Sequence, residues 1–118
     1  MLQKLLMNSE RDFNMKRYTV EITGSALADM EDIYKHIAYV LLSPNNARGQ
    51  YDRIADKILS LEYMPERNCC LDTEVEGLRD LRQLPVDNYR VFYIIRQDKV
   101  LVTNVLYAAS DIESRLQS

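Results

Sequence analysis

Between Tyr18 and Thr23 the chain alternates. Tyr18, Val20 and Ile22 are apolar or aromatic, and Thr19, Glu21 and Thr23 are polar. Period-two alternation predicts a half-buried strand, ended by Gly24-Ser25. The spacing then changes to three and four. Leu27, Met30, Ile33, Tyr34, Ile37 and Leu41 form one stripe, predicting a helix over residues 26–42. Ser43 and Pro44 read as the N-cap and first position of a second helix. Its apolar stripe is Ala47, Tyr51, Ile54, Ile58 and Leu61, and Met64-Pro65 ends it. Two helices joined by so short a turn must run antiparallel.

Residues 66–76 (ERNCCLDTEVE) are polar and acidic. Alternation then returns and predicts strands over residues 78–84, 89–96 and 100–107. Pro85 to Asn88 makes the first connection, and Gln97-Asp98 a tight hairpin. Ser110 and Glu113 have capping-box spacing, so a last helix of about two turns is expected there. The order is β-α-α-β-β-β-α. The late strands form an antiparallel meander, the first strand joins beside the last, and the helical hairpin covers one face. The class is α+β, with a four-stranded, mostly antiparallel sheet. Residues 15–118 read as a single domain. Residues 1–14 read as an N-terminal extension, in which Met1, Leu2, Leu5 and Leu6 suit one turn of apolar helix.

Composition narrows the function classes. A chain of 118 residues supports one core. No apolar run approaches the roughly 18 residues of a membrane span, and no secretory signal is visible, so a cytoplasmic protein is expected. The net charge of −3 speaks against a surface that grips nucleic acid all over. It leaves room for a local patch built from the arginines near the C-terminus. Cys69 and Cys70 are adjacent, and with a single histidine, His36, they cannot complete a zinc site. Two reduced thiols are expected, with no metal and no cofactor.

Several stretches, in order, resemble the RelE/ParE superfamily of toxins from bacterial type II toxin–antitoxin (plasmid stabilisation) modules. The opening strand at Tyr18 (YTVE), residues 28–37 (ADMEDIYKHI), residues 61–67 (LEYMPER), Gly77-Leu78-Arg79, residues 88–93 (NYRVFY) and residues 105–113 (VLYAASDIE) carry the likeness. It spans about residues 16–116. It implies a growth-inhibiting toxin neutralised by a cognate antitoxin, as a toxin–antitoxin hetero-oligomer or a homodimer. It also implies one of two targets. ParE-like members act on DNA gyrase, and RelE-like members cut mRNA on the ribosome without a metal.

The RelE-like alternative needs a base, a cation for the scissile phosphate and an acid. Arg90, Arg82 and Tyr107 are the candidates that the resemblance implies. Arg90 shares a face with Phe92, Ile94 and Arg96, opposite Tyr89, Val91, Tyr93 and Ile95. It could equally pair with a helix carboxylate such as Asp29 or Glu31. Arg79 and Arg82 have opposite parity, so a regular strand cannot place both on one face. Arg79, Arg96, Asp29 and Asp32 are candidates for binding antitoxin or target. His36, on a helix flank, reads as structural or solvated. After Tyr107, many members of the superfamily carry two basic residues, and Ala108-Ala109-Ser110 stands there instead. That departure favours action on a protein such as gyrase over RNA cleavage. It also leaves room for a non-toxic binding module of the same fold.

Overall fold

The computed structural model describes residues 16–117. The expected N-terminal extension lies outside the described residues. Strand β1 (Thr19–Ile22) leads to helix α1 (Gly24–Lys35), which runs on as a π-helical turn, His36–Val40. Helix α2 (Pro44–Leu59) returns antiparallel. After three short 3-10 turns come β2 (Arg82–Val86), β3 (Tyr89–Arg96), β4 (Lys99–Tyr107) and helix α3 (Ile112–Gln117). The sheet order is β1-β4-β3-β2. β1 pairs with β4 in parallel, and the other two pairings are antiparallel. The expected architecture is the observed one.

Alternation along β3 sorts the sheet into two faces. Val91 and Tyr93 join Val100, Val102, Val105, Leu84 and Val86 beneath the helices, packed on Ala26, Met30, Ile54 and Ile58. Phe92 and Leu106 point the other way. They are covered by Leu78 and Leu81, with Leu71, Val75, Ile112 and Leu116 around them. The sheet is therefore covered on both sides. The second cover comes from the 66–81 connection and α3, which are too irregular to read as an apolar face in the sequence.

Several local expectations are corrected. The second strand begins at Arg82, not at residue 78. Residues 76–78 form a 3-10 turn that drives Leu78 into the second core. Pro85 lies within β2, which is tolerated because β2 is an edge strand and loses no ladder bond. The turn shrinks to Asp87-Asn88, with Asp87 at φ 54°. The cap of α1 is Thr23, whose hydroxyl accepts from the Ala26 N–H at 3.2 Å. Ser43 sits at the expected N-cap but makes no side-chain cap bond. α3 starts at Ile112 instead of Ser110. The Ser110 hydroxyl donates to the Tyr107 carbonyl, and Glu113 accepts from Thr73 across the second face. Leu41, expected on the core face of the first helix, is 58% exposed. The wider π-turn shifts the register after His36, so Ile37 and Ala38 remain buried while residues 39–42 turn outward.

Tyr93 is fully buried. Its hydroxyl donates to the Pro65 carbonyl at 2.6 Å and accepts from the Asn68 amide at 3.0 Å. Burial pushes its pKa up. Tyr93→Phe leaves both partners unsatisfied and should cost about 1–3 kcal/mol in urea unfolding, with an unchanged denaturant slope. A loss below experimental error would show that water replaces the hydroxyl.

Asp87 accepts from Arg53 Nε at 2.8 Å and Gln50 Nε2 at 3.0 Å, tying the β2–β3 turn to α2. The Arg53 bond, then the Gln50 bond, holds its carboxyl below the usual value. A lowered folded pKa contributes stability above the unfolded value, near 3.9, and loses it as pH falls through the folded value. Asn tolerates the positive φ, so Asp87→Asn isolates the charge. The stability advantage of wild type over this variant should shrink as pH drops below about 4. An advantage independent of pH would assign the whole effect to hydrogen bonding.

Candidate functional site

The three residues that an RNA-cleaving centre would use are not brought together. Arg82 belongs to the helix-covered face, in register with Tyr93 and in parity with Leu84 and Val86. Its Nη1 donates to the carbonyls of Glu66 at 3.1 Å and Asn68 at 2.7 Å. The guanidinium thus clamps the chain leaving α2 onto the edge strand. The Tyr18 hydroxyl donates to the Glu66 side chain, which lowers the Glu66 pKa and raises that of Tyr18. Arg90 lies on the opposite face, in register with Pro85 and Leu106. Its Nη1 donates to Gln83 Oε1 at 2.6 Å. No ion pair joins it to Asp29 or Glu31, which belong to the helix on the other side of the sheet.

Tyr107 pairs with Tyr89 across the β3–β4 ladder, and their rings meet edge-on at 5.7 Å between centroids. Tyr89 packs against the helix-side core. Four residues of β3 separate the register positions of Tyr107 and Arg82, about 13 Å along the strand. Arg79 caps a 3-10 turn and Arg96 ends β3; both are exposed. Cys69 and Cys70 are exposed free thiols. Among the described residues, no group of three or more His, Cys, Asp or Glu side chains is placed to hold a metal, and no helix is long and apolar enough to cross a membrane.

What the fold does assemble is a cleft of about 680 Å³ between α1 and the C-terminal half of β4. β1 pairs only with residues 99–102 of β4. Beyond that point Asp29 Oδ2 takes the place of a neighbouring strand. It accepts from the Val105 N–H at 3.0 Å and from Asn104 Nδ2 at 3.2 Å. Asp32, one turn further along α1, lines the same cleft with Ile33, His36 and Leu41. Tyr89, Val105 and Tyr107 form the wall opposite, and Arg115 of α3 also lines it. Of the candidates from the sequence, Asp29, Asp32 and Tyr107 meet here; Arg82, Arg90, Arg79 and Arg96 do not line it. The cleft offers two carboxylates against one guanidinium, so it is poorly suited to a phosphate.

A second feature escaped the sequence reading. Tyr39, Val40, Leu41 and Leu42 are 70, 66, 58 and 81% exposed at the end of the helical hairpin. Leu42 closes the run at φ 54°. The only signal in the sequence is the unbroken apolar stretch before Ser43, which reads equally well as a buried helix end.

Solved structures share this fold. The chain is similar to the chromosomal ParDE toxin–antitoxin system from P. aeruginosa, with a TM-score of 0.66 and 18% identity, over 77% of this chain and 96% of that one. It is also similar to the RelBE2 toxin–antitoxin complex from Mycobacterium tuberculosis, with a TM-score of 0.57 and 20% identity, over 80% and 95%. A search of curated proteins finds no match. Residues 20–112 match the ParE toxin of type II toxin–antitoxin system, parDE. The chain belongs to that family of toxins.

The hydrogen bonds around the two strand arginines generate a direct comparison. Arg82→Ala frees two carbonyls that the guanidinium holds and should cost about 1–3 kcal/mol. Arg90→Ala removes one bond to a partly exposed amide and should cost about 1 kcal/mol or less. Parallel urea melts decide the order. A larger loss for Arg90→Ala would mean that the second face depends on it.

Proposed function

We propose that this toxin arrests growth by binding a protein target, DNA gyrase being the candidate, and that a cognate antitoxin neutralises it. The observation that carries this reading is the dispersal of Arg82, Arg90 and Tyr107, with Arg90 on the opposite face from Arg82 and Tyr107, and Arg82 set about 13 Å along the sheet from Tyr107. A metal-independent ribonuclease must surround one phosphate with cations, a base and an acid. Here Arg82 is committed to two backbone carbonyls, and the stretch after Tyr107 is Ala108-Ala109-Ser110. Each cation missing from such a site withholds a few kcal/mol of transition-state stabilisation. By contrast, the exposed run at residues 39–42 is the kind of surface that marks a protein interface. The family match to the ParE toxins supports the same side of the choice.

The test is pulse-labelling of cells just after the chain is induced without antitoxin. Thymidine incorporation should fall before methionine incorporation, and Arg90→Ala should remain toxic. Leu42→Ser should weaken the arrest, since it removes the most exposed apolar side chain of the run. Methionine incorporation collapsing first, with Arg90→Ala inactive, would establish mRNA cleavage instead. If neither label falls, the chain is a non-toxic member of the family.

A further inference from the structure

We propose that the π-turn of the helical hairpin is a display device: it holds one residue more than the helix end needs, and that residue sets the spacing of the exposed run at residues 39–42. Its purpose depends on the protein-target reading above. Two hydrogen bonds reveal the extra residue. The Leu41 N–H donates to the His36 carbonyl at 3.1 Å, and the Ser43 N–H donates to the Ile37 carbonyl at 3.0 Å. The first bond reaches back five residues and the second six. Between the two donors, Leu42 takes the left-handed conformation, at φ 54°. An ordinary α-helix closes through the same pattern, one residue tighter. Its last bond reaches back four residues, and the residue after the left-handed one reaches back five. With one residue fewer between Ala38 and Leu41, both observed bonds become those of an ordinary helix end.

The extra residue lies on the surface. Ile37 and Ala38 are buried with Ala47, whereas Tyr39 and Val40 are exposed. The core therefore gains no packing from it. A π-turn is a rare form of helix, and here it adds an apolar side chain to those already in water. The apolar periodicity asks for a different register. Leu41 lies four residues after Ile37 and would stack over it in an α-helix. In the π-turn Leu41 comes over His36 instead, and both line the cleft beside β4. Local preference and adopted structure disagree at this turn, and such disagreements collect at functional sites. What the extra residue supplies is spacing. It separates Tyr39 from Leu41 and Leu42 across a widened turn, with all four apolar side chains left outside the hairpin core.

The test pairs deletion of Val40 with Val40→Ala, which trims the side chain and keeps the residue count. Deletion of Glu31, another exposed residue of the same helix, is the control. Losing Glu31 turns Ile33 and Ile37 by about 100° relative to Met30, and should lower the urea midpoint or prevent folding. Losing Val40 should leave the urea midpoint at or above that of the wild type. The Leu41 and Ser43 amides should stay protected from hydrogen exchange in that variant. Induced without antitoxin, the Val40 deletion should no longer arrest growth, while Val40→Ala should arrest it as the wild type does. A Val40 deletion that unfolds as readily as the Glu31 deletion would make the residue structural and overturn the proposal. So would a folded deletion variant that still arrests growth. Loss of arrest in Val40→Ala would overturn it too, because the side chain and not the spacing would then be recognised. Pulse-labelling separates the device from the gyrase reading. Methionine incorporation falling before thymidine incorporation in the wild type would remove gyrase as the target. The device would still stand if arrest disappears with the deletion and survives Val40→Ala.

Discussion

The organisation of this toxin depends on the length of one strand. β1 has four residues and pairs with β4 only at positions 99–102. The chain must then leave the sheet, and Thr23 turns it into α1 while its backbone N–H still reaches the Val102 carbonyl at 3.0 Å. The rest of β4 is left without a strand on that side, in a position where an unpaired N–H would be costly. Asp29 meets the need one turn into the helix by accepting from Val105. A single carboxylate thus ties α1 to the uncovered part of β4, beside the packing of Ala26 and Met30 on the sheet. The cleft is the space left between α1, with the turn that continues it, and a strand that its neighbour stops covering.

The rest of the domain keeps that corner rigid. The start of β1 is fastened to the end of α2 by the Tyr18 N–H to the Glu62 carbonyl, by the Arg17–Glu62 ion pair and by the Tyr18–Glu66 bond. At the far edge, Arg82 and the Tyr93 hydroxyl fasten residues 65–68 onto the sheet. Of the polar groups that sequence alone marks as chemical, Arg82, Arg90 and Asp29 are committed to hydrogen bonds within the fold. Arginine on a strand is expensive unless its donors are met, and backbone carbonyls of a passing loop meet them as well as a phosphate does.

Legibility in the sequence followed the range of the interactions. β3 was readable to the residue because alternation is local, and the parity that separates Arg90 from Tyr89 and Tyr93 proved to be the real division of the sheet. The partnership of β1 with β4 was readable from topology. The start of β2 was not, because Leu78 and Leu81 serve a core whose other members lie on β3, β4 and α3. Asp29 was legible only as a candidate partner for Arg90 or as a candidate for binding antitoxin or target, not as a brace for β4. Its role depends on a contact 76 residues away. The outward turn of Leu41 depends on a π-helical register that no apolar periodicity encodes.

The exposed run at residues 39–42 and the open carboxylate of Asp32 lie at the same end of α1, and each is unfavourable for an isolated chain. Four apolar side chains in water promote association, and an unpaired acid beside an apolar cleft contributes nothing to folding. Neither can be removed by stability alone if the surface has to meet a partner. The apolar part is tolerant of the partner's detail, because burial is non-directional. The charged part is selective, because a mismatched or neutral group in the cleft leaves a carboxylate desolvated and unmet. An apolar tip joined through Leu41 to an acidic, aromatic-walled cleft sets these two kinds of surface side by side on one continuous stretch of the molecule.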